Sequence, residues 1–484
     1  MSQFTISRWT SCCMAALFAF ACCSITASAE DWPQFRGPNS TGVSTESKNL
    51  LVEFSYEKNV KWSVELGRGI ASPVIASGRL FETAMLDKNT FAVMAFDAET
   101  GKKQWQTEFT VSGLPEITSP NEHASSTPAT DGDRVYVYFS TLGLMAFNAA
   151  DGKLQWTHPI SMPHYLMGWG PANSPIVYED MVIFNIDDDL APFLLALDRY
   201  SGAVLWKTPR PDMLGGFSTP VLCQAGDRTD VVLAGSGKLK GYNPRTGKEL
   251  WSCNSLLRTI MTTPAVVGDT IYISLQSYGD TDRVLKFALL QWRDTNQDGK
   301  LAKSELEKVF WKKFDKGDKN KDGVLEGDEI DAAFQAPTNM VGGGNIIQAI
   351  RGGGLGNVTK SHLLWNVNSK APSNIASPLA YNGQLFLVKK GGISTSFHLK
   401  DGAIASKRRR IRNLGNYYAS PIAADGKIFM LSEMCMLSVL EPDGGLAPVS
   451  VSDLDDLCHA TPAIADGRLY LRTRNHLYAF GLVD

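Results

Sequence analysis

Residues 72–78 of the chain read SPVIASG, and this arrangement of a Ser-Pro or Thr-Pro pair, a short apolar run and a turn occurs eight times. The copies begin at Ser72, Thr127, Ser174, Thr219, Thr263, Ser377, Ser420 and Thr461. Successive copies lie 55, 47, 45, 44, 114, 43 and 41 residues apart. A period in the forties with strand chemistry is typical of propeller blades. The pattern therefore predicts eight similar β units, with an insertion where the step is 114 residues.

A second motif follows in the same units. Residues 95–105 read AFDAETGKKQW, and related segments lie at 146–156, 196–206 and 241–251. Each places Asp or Asn before a turn, Gly at its end and Trp on the next strand, where we expect the Trp to pack between blades. Trp365 takes this place in the interrupted unit. The motif resembles the tryptophan-docking motif of pyrroloquinoline-quinone-like (PQQ-like) β-propeller repeat proteins, and the resemblance covers nearly all of the chain outside the insertion.

The sequence also predicts how the ring closes. Lys61-Trp62 precedes the first Ser-Pro pair and has the pattern of a docking strand, whereas the last unit ends without one. We therefore expect the N-terminal strand to complete the last blade, which leaves only short, protected edges. The predicted fold is all-β: an eight-bladed, quinoprotein-like β-propeller with a small α-helical insertion in the fifth blade.

The first 29 residues have the features of a cleaved secretory signal. Arg8 precedes an apolar stretch, and Ala27-Ser28-Ala29 offers small residues before the cleavage point. A lipid-anchored Cys22 is the alternative, but residues 19–21 match a lipoprotein signal poorly. The predicted parts are a signal peptide (1–29), an N-terminal arm (30–56), the propeller (57–280 and 338–484) and an inserted pair of EF-hand loops (281–337). A periplasmic or secreted location is expected, with no membrane span.

Charge and cysteine content exclude several classes of protein. The 47 basic and 50 acidic residues give no electrostatic footprint for nucleic acid. The basic run Lys407–Arg410 with Arg412 is a local exception that we interpret as a solvated blade edge. Without the signal, Cys223, Cys253, Cys435 and Cys458 remain. An even number permits disulfides, whose pairing stays open, but it is too few for a disulfide framework.

The insertion contains the clearest chemical signal. Residues 294–305 (DTNQDGKLAKSE) and 318–329 (DKNKDGVLEGDE) each match the twelve-residue EF-hand calcium loop. Ca²⁺ takes about six to eight oxygen ligands, which such a loop supplies from side chains and from a backbone carbonyl at place 7. The predicted ligands are Asp294, Asn296, Asp298, Lys300 and Glu305 in the first loop, and Asp318, Asn320, Asp322, Val324 and Glu329 in the second.

The two loops are unusually close together. Only Leu306 to Gly317 separate them, so one segment of about 18 Å has to serve as exit and entry helix. Leu306, Val309, Phe310 and Phe314 give this segment an apolar stripe. We therefore predict two Ca²⁺ sites with a structural or buffering role rather than a sensor role. The alternative is a pair of acidic turns that only cap helices.

Residues just before the Ser/Thr-Pro pairs converge on one mouth of the channel in a propeller. The candidate ligand-binding residues are Glu122, His123, Trp169, Asn173, Asn416, Tyr417, Tyr418 and His459, beside Asn121, with Asp187, Asp188 and Asp189 as further candidates. A carboxylate or His among them can orient a ligand or act as a base. The alternative is a hydrogen-bonded polar lining of the channel.

Two classes of function compete, and the fold alone does not decide between them. The sequence favours an exported, monomeric, calcium-binding propeller that acts as a binding or scaffold module for a protein, peptide or glycan, with no catalytic residue assigned. The alternative is a quinoprotein dehydrogenase that holds PQQ in the channel and oxidises an alcohol or sugar. Residues 30–484 lack the adjacent cysteine pair of many quinoprotein alcohol dehydrogenases, and the blades leave little room for catalytic loops.

Overall fold

The computed structural model describes Met1 and residues 30–165, 168–256, 261–279, 286, 289–290, 293–334, 342–373, 375–411 and 415–482. The predicted signal peptide, apart from Met1, lies outside the described residues, as does Arg412 of the basic run. In the described part of the chain, no helix is long and apolar enough to cross a membrane.

Eight antiparallel sheets follow one another along the chain, after strand β1 (Val60–Glu65). Blade 1 contains β2 (Val74–Ala76), β3 (Arg79–Met85), β4 (Thr90–Asp97) and β5 (Lys103–Thr110). Blade 2 contains β6 (Ala129–Thr130), β7 (Arg134–Phe139), β8 (Gly143–Asn148) and β9 (Leu154–His158). Blade 3 contains β10 (Ile176–Tyr178), β11 (Met181–Ile186), β12 (Phe193–Asp198) and β13 (Val204–Pro209). Blade 4 contains β14 (Val221–Ala225), β15 (Arg228–Gly235), β16 (Lys238–Tyr242) and β17 (Glu249–Cys253).

Blade 5 is interrupted. It begins with β18 (Ala265–Val267) and β19 (Thr270–Gly279). The insertion follows, with β20 (Leu301–Ala302), 3-10 turns at Lys303–Glu305 and Lys308–Phe310, a helix at Trp311–Gly317, β21 (Val324–Leu325) and a helix at Asp328–Ala333. The chain then returns as β22 (Gly342–Arg351), β23 (Gly356–Asn357), a helix at Thr359–His362 and β24 (Leu363–Val367).

Three uninterrupted blades complete the ring. Blade 6 contains β25 (Leu379–Tyr381), β26 (Gln384–Lys389), β27 (Ile393–His398) and β28 (Ile404–Arg410). Blade 7 contains β29 (Ile422–Ala424), β30 (Lys427–Leu431), β31 (Met436–Leu440) and β32 (Pro448–Asp453). Blade 8 contains β33 (Ala463–Ala465), β34 (Arg468–Arg472), β35 (His476–Phe480) and the N-terminal β1.

The ring closes as the sequence predicts. Strand β1 pairs antiparallel with β35, with Trp62 opposite Ala479. The innermost strands of the first and last blades, β2 and β33, contact each other. The prediction of an all-β, eight-bladed propeller is therefore confirmed.

The residues that open the blades form a hydrogen-bonded ring around the channel, here called the hydroxyl ring: Ser72, Thr127, Ser174, Thr219, Thr263, Ser377, Ser420 and Thr461. The backbone N–H of Ser72 donates to Thr127 Oγ1 at 3.0 Å, and that of Thr461 donates back to Ser72 Oγ at 3.1 Å. Seven such links form among the described residues, at 2.9 to 3.2 Å. Because every member is at most 3% exposed, each N–H needs a partner inside the protein.

Farther from the channel than the hydroxyl ring, tryptophan side chains bind neighbouring blades to each other. The indole N–H of Trp105 donates to the carbonyl of Ala149 in the next blade at 2.9 Å. Its ring lies against Gly152, which has a φ of +69° and at which a Cβ would come within 2.4 Å of the ring. A side chain at this glycine would therefore displace the indole. Equivalent bonds run from Trp62 to Ala98, Trp156 to Arg199, Trp206 to Pro244 and Trp365 to Leu399.

Trp251 departs from the predicted pattern. Its indole donates to the carboxylate of Asp230 in its own blade at 2.7 Å. The reason lies in blade 5, where the usual Gly turn is replaced by a longer connection that places β23 parallel to β17. Trp251 still packs in the apolar cluster between blades 4 and 5, but it has no docking turn to bind.

The N-terminal arm runs across the channel along the innermost strands. Trp32 pairs with the inner strand of blade 1 and Val43 with that of blade 7. Between them, Asn39 hydrogen bonds to β14 of blade 4, and the guanidinium of Arg36 donates to Pro378 O of blade 6 at 2.6 Å. Burial lowers the pKa of Arg36 to about 9. The arm therefore connects blades that are distant along the ring and covers one end of the channel.

The hydroxyl ring gives a stability prediction. Thr263→Val keeps the side-chain shape but removes the oxygen that accepts the N–H of Thr219. A buried N–H left without a partner costs about 1–3 kcal/mol, so we expect the free energy of unfolding in urea to fall by that amount. Thr157→Val, on the exposed face of β9, is the matched control and should change stability little. An unchanged unfolding midpoint for Thr263→Val would show that the ring does not stabilise the propeller.

Candidate functional site

The centre of the ring contains a cavity of about 310 Å³. All eight members of the hydroxyl ring line it, and Phe35 of the arm lines it from the covered end of the channel. The opposite end is formed by the loops that precede the Ser/Thr-Pro pairs. These loops contribute residues 118–121, Ser125, Trp169, Gly170, Ala172, Phe217, Met261, Ile375, Tyr418 and His459, together with Ile70.

His459 and Tyr418 lie together on one wall of this cavity. Their ring centroids are 5.0 Å apart, and His459 Nε2 lies 3.6 Å from Glu433 Oε1. The other carboxylate oxygen of Glu433 accepts a hydrogen bond from Asn416 Nδ2 at 2.8 Å. Burial lowers the pKa of His459 below its ordinary value, against the opposing effect of Glu433. His459 is therefore uncharged at neutral pH, and the charge of this wall belongs to Glu433.

A disulfide holds the turn that carries Glu433. Cys435 and Cys458 are bonded, which answers the pairing that the sequence left open, and Cys223 and Cys253 are free and buried. The backbone N–H of Cys458 donates to Glu433 O at 2.9 Å, and the N–H of Glu433 donates to Asn416 O at 2.9 Å. The backbone of Glu433 is thus fixed by main-chain bonds from two loops, and its carboxylate is held by Asn416 Nδ2.

A smaller cavity of about 150 Å³ adjoins the first one. Both are lined by Ile70, Ser119, Pro120 and His459, so they form one continuous depression. Glu122, Glu433 and Arg474 line the smaller cavity, and Glu122 forms an ion pair with Arg68 at 2.8 Å. Ionisable groups therefore line the smaller cavity, and aromatic and hydroxyl groups line the larger one.

Trp169 lies on the wall across the cavity from His459. Its ring centroid is 6.1 Å from that of Phe217, which stacks on Tyr165 at 4.9 Å. The side chain of Asn121 donates to the carbonyl of Trp169 and joins the loops before blades 2 and 3. The opposing wall is consequently aromatic and held by hydrogen bonds.

Four of the predicted residues do not line either cavity: Asn416, which bonds to Glu433, and Asn173, Tyr417 and His123. Asn173 is fully buried and accepts a hydrogen bond from the Tyr165 hydroxyl at 3.1 Å. Tyr417 is 3% exposed and belongs to the apolar cluster between blades 6 and 7. His123 lies beside Glu122 with a hydrogen bond to the Pro115 backbone, and burial lowers its pKa. These residues pack inside the loops of the channel mouth and stabilise them without facing the cavity.

The run 187–189 also lies away from the channel. Asp187 forms a fully buried, two-pronged ion pair with Arg210, at 2.8 and 2.9 Å. Asp188 accepts the N–H groups of Leu190 and Ala191. These carboxylates thus stabilise the end of β11 and the loop after it, not a ligand site in the channel.

Sequence reasoning missed Glu433, Phe217 and Phe35. Glu433 follows a strand rather than preceding a Ser/Thr-Pro pair, and only its closeness to Cys435 hinted at a constrained turn. Phe217 precedes Ser218 and Thr219 and could have been found by the rule that selected its neighbours. Phe35 lies in the arm, whose course across the channel has no local signal.

The two predicted calcium loops lie side by side in the insertion. Their eighth residues, Leu301 and Leu325, pair in the short sheet formed by β20 and β21. Both leucines are fully buried in the insertion's own apolar cluster with Phe310, Phe314 and Ile330. The segment predicted as one shared helix forms a 3-10 turn followed by a short α-helix.

The acidic side chains of the second loop have unused oxygens. Asp318 Oδ2 accepts the N–H of Gly323 at 3.1 Å, and Glu329 Oε1 accepts the N–H of Lys319 at 3.0 Å. The other oxygens, Asp318 Oδ1 and Glu329 Oε2, are buried and have no hydrogen-bond partner in the described part of the chain. Buried carboxylate oxygens of this kind fit a bound cation.

The first loop differs in its hydrogen bonding. Glu305 uses both oxygens, accepting the N–H of Thr295 at 3.0 Å and that of Ala302 at 2.8 Å. Asp294 likewise accepts from two backbone N–H groups, those of Asp298 and Gly299. Within the described ranges, no three His, Cys, Asp or Glu side chains converge closely enough to hold a metal ion on their own. Ligation in either loop would therefore also need Asn and backbone oxygens, as the twelve-residue pattern implies.

The insertion packs on blade 3, although it branches from blade 5. Phe310 contacts His164 edge to face, with 4.7 Å between ring centroids, and Leu190 packs against the insertion's apolar cluster. The N–H of His164 donates to Asp188 Oδ2 at 3.0 Å. His164 lies in the loop that leads to Trp169, so the insertion supports one wall of the channel mouth.

Comparison with known proteins gives consistent matches. The family model described as outer membrane protein assembly factor BamB matches residues 33–169 and 170–330. The BamB of Yersinia pestis is 24% identical over 414 residues, which cover 80% of this chain and 90% of that protein. The BamB of Shewanella oneidensis is 22% identical over 248 residues, which cover 47% of this chain and 58% of that protein.

A solved structure agrees with the fold. The crystal structure of BamB from Moraxella catarrhalis aligns with a TM-score of 0.54 at 14% identity, covering 88% of this chain and 97% of that one. At this identity the likeness concerns the fold alone. Because the two segments matched by the family model make up more than half of the 484 residues, the chain belongs to the family described as outer membrane protein assembly factor BamB.

Proposed function

We propose that this protein is an exported binding propeller that holds a protein partner during the assembly of outer membrane proteins. The observation that carries the proposal is the family match, supported by similarity over 80% of the chain to a protein named as an assembly factor. A cavity with aromatic walls and a ring of fixed hydroxyl groups, as in the channel, suits recognition of a ligand. Residues 1–29, with the pattern of a secretory signal, favour action in the periplasm.

The quinoprotein alternative fits the channel less well. PQQ carries three carboxylates, which would need cationic side chains around them when buried. No lysine or arginine of the described residues lines the larger cavity. In the adjoining smaller cavity, Glu122 is paired with Arg68, and Glu433 and Arg474 line the same space, so this lining has no excess of positive charge for an anionic cofactor. The geometry therefore favours binding of a partner over oxidation of an alcohol or sugar.

Loss of the protein in its source bacterium tests this function. We expect depletion to lower the amount of folded outer-membrane β-barrel proteins, measured by heat-modifiability on gels, and the full-length chain to restore it. A parallel incubation with PQQ and Ca²⁺ should leave no quinone absorbance on the purified protein. Normal barrel levels after depletion, or retained quinone with dye-linked alcohol oxidation, would contradict the proposal.

We also propose that the insertion binds Ca²⁺ and that the second loop is the tighter site. The unused oxygens of Asp318 and Glu329 can ligate the ion without breaking a bond. Both oxygens of Glu305, in contrast, already accept a backbone N–H, so ligation there shares each oxygen with a hydrogen bond. A bound Ca²⁺ supplies positive charge among the acidic groups, while the Leu301–Leu325 pairing holds the two loops together.

Calorimetric titration of the full chain tests the calcium sites. We expect two Ca²⁺ per wild-type chain, and we expect Asp318→Asn with Glu329→Gln to remove the tighter one because both unused oxygens are lost or neutralised. Asp328→Asn is the matched control, since this exposed residue at place 11 of the same loop is not a predicted ligand. Two ions retained by the double variant, or none bound by the wild type, would overturn the assignment.

A further inference from the structure

We infer that the depression at the channel mouth binds an extended segment of the partner polypeptide. One aromatic or large aliphatic side chain of that segment lies in the cavity of about 310 Å³ at the centre of the ring, here called the deep cavity, and a neighbouring lysine or arginine pairs with Glu433. This inference rests on the proposed function and adds the chemistry of the recognised segment. It follows from three features of the site: its walls, the Glu433 carboxylate, which has no Lys or Arg within 4.0 Å among the described residues, and the path between them.

The deep cavity is shaped for a single apolar side chain. Trp169, Phe217 and Tyr418 supply aromatic walls, with Phe35 and Met261 also lining the cavity. Its volume of about 310 Å³ is at the small end of ligand pockets, which span roughly 300–1,000 Å³. Binding hot spots are enriched in Trp, Tyr and Arg, and they fill well-packed pockets near the centre of an interface.

The Glu433 carboxylate supplies the negative charge that would pair with a Lys or Arg of the partner segment. In the described part of the chain, no Lys or Arg nitrogen lies within 4.0 Å of its carboxylate: Arg474 lines the same small cavity without forming an ion pair with it, and the imidazole of His459 lies 3.6 Å away. Burial lowers the pKa of His459, so this imidazole is neutral and does not balance the carboxylate. His459 Nε2 is itself buried and has no hydrogen-bond partner among the described residues. This wall therefore contains a second polar atom that can bond to a ligand. Glu122 differs, because Arg68 already neutralises it.

The deep cavity and the smaller cavity that contains Glu433 are continuous with each other. Ile70, Ser119, Pro120 and His459 line both the deep cavity and the smaller cavity that contains Glu433. An extended chain advances about 3.3 Å per residue, so a side chain in the deep cavity and its neighbour at Glu433 can belong to adjacent or next-but-one residues. A glycan could also stack on the aromatic walls, but it would not respond to the charge at position 433.

Titration calorimetry with short peptides tests the inference. The probes are N-acetyl-Phe-Lys-amide, N-acetyl-Phe-Glu-amide and N-acetyl-Phe-norleucine-amide, added to the full chain. We expect the Lys peptide to bind about tenfold or more tightly than the other two, the value of a desolvated charge-assisted hydrogen bond. Glu433→Gln should remove this preference and leave the three affinities equal. Glu441→Gln, an exposed acid of the same blade, should retain it.

A cavity-filling variant provides a second, independent test of the inference. Ile375→Trp places an indole in the deep cavity and should abolish binding of all three peptides, whereas Ile404→Trp, on the 57% exposed Ile404 of β28, should not. Far-ultraviolet circular dichroism and thermal unfolding establish that both variants are folded. Equal affinities of the wild type for the Lys and Glu peptides, or unchanged binding by Glu433→Gln, would overturn the inference. Preferred binding of a chitobiose or maltose probe would assign the site to a glycan instead. If the peptide tests fail or a glycan is preferred, but depletion of the protein still impairs barrel assembly, the proposed function stands. The partner then binds another face of the propeller.

Discussion

The hydroxyl ring is the constraint on which the rest of the structure depends. Each blade begins with a buried Ser or Thr. At seven of the eight junctions, among the described residues, the oxygen of this residue accepts a backbone N–H from the blade before it, and the last blade donates to the first. A short inner strand next to the channel cannot satisfy this N–H with a neighbouring strand, so the side chain of the next blade does it. These seven links thereby hold neighbouring blades in position around the channel. They also fix where the preceding loops emerge, and those loops build the channel mouth.

Much of this architecture could be predicted because it repeats. The Ser/Thr-Pro pairs, the Gly turns and the docking tryptophans each recur at one place per blade, so a single chain contains several independent copies of the signal. Closure by Trp62 was predictable for the same reason. The exceptions arise where a partner element is replaced: Trp251 bonds to Asp230 because blade 5 has a longer connection in place of the usual turn. The docking motif of one blade does not show which turn the next blade offers to its Trp.

The candidate site was predictable only in part. Trp169, Tyr418 and His459 could be placed at the mouth from their position before a Ser/Thr-Pro pair, and the structure brings them to one cavity. Asn173 and Tyr417 satisfy the same rule but point into the packed loops, since neighbouring residues of a loop face opposite directions. Glu433 and the seating of the insertion on blade 3 depend on contacts between segments far apart in sequence. No spacing within one blade encodes such contacts.

Hydrogen exchange at the hydroxyl ring tests the central claim most directly. If the ring closes the propeller as a single cooperative unit, the backbone amides of Thr219, Thr263 and Ser377 should exchange only through global unfolding. Their opening free energies would then equal one another and the free energy of unfolding measured in urea. Fast exchange at these amides, or exchange that differs from blade to blade in the intact protein, would contradict the account.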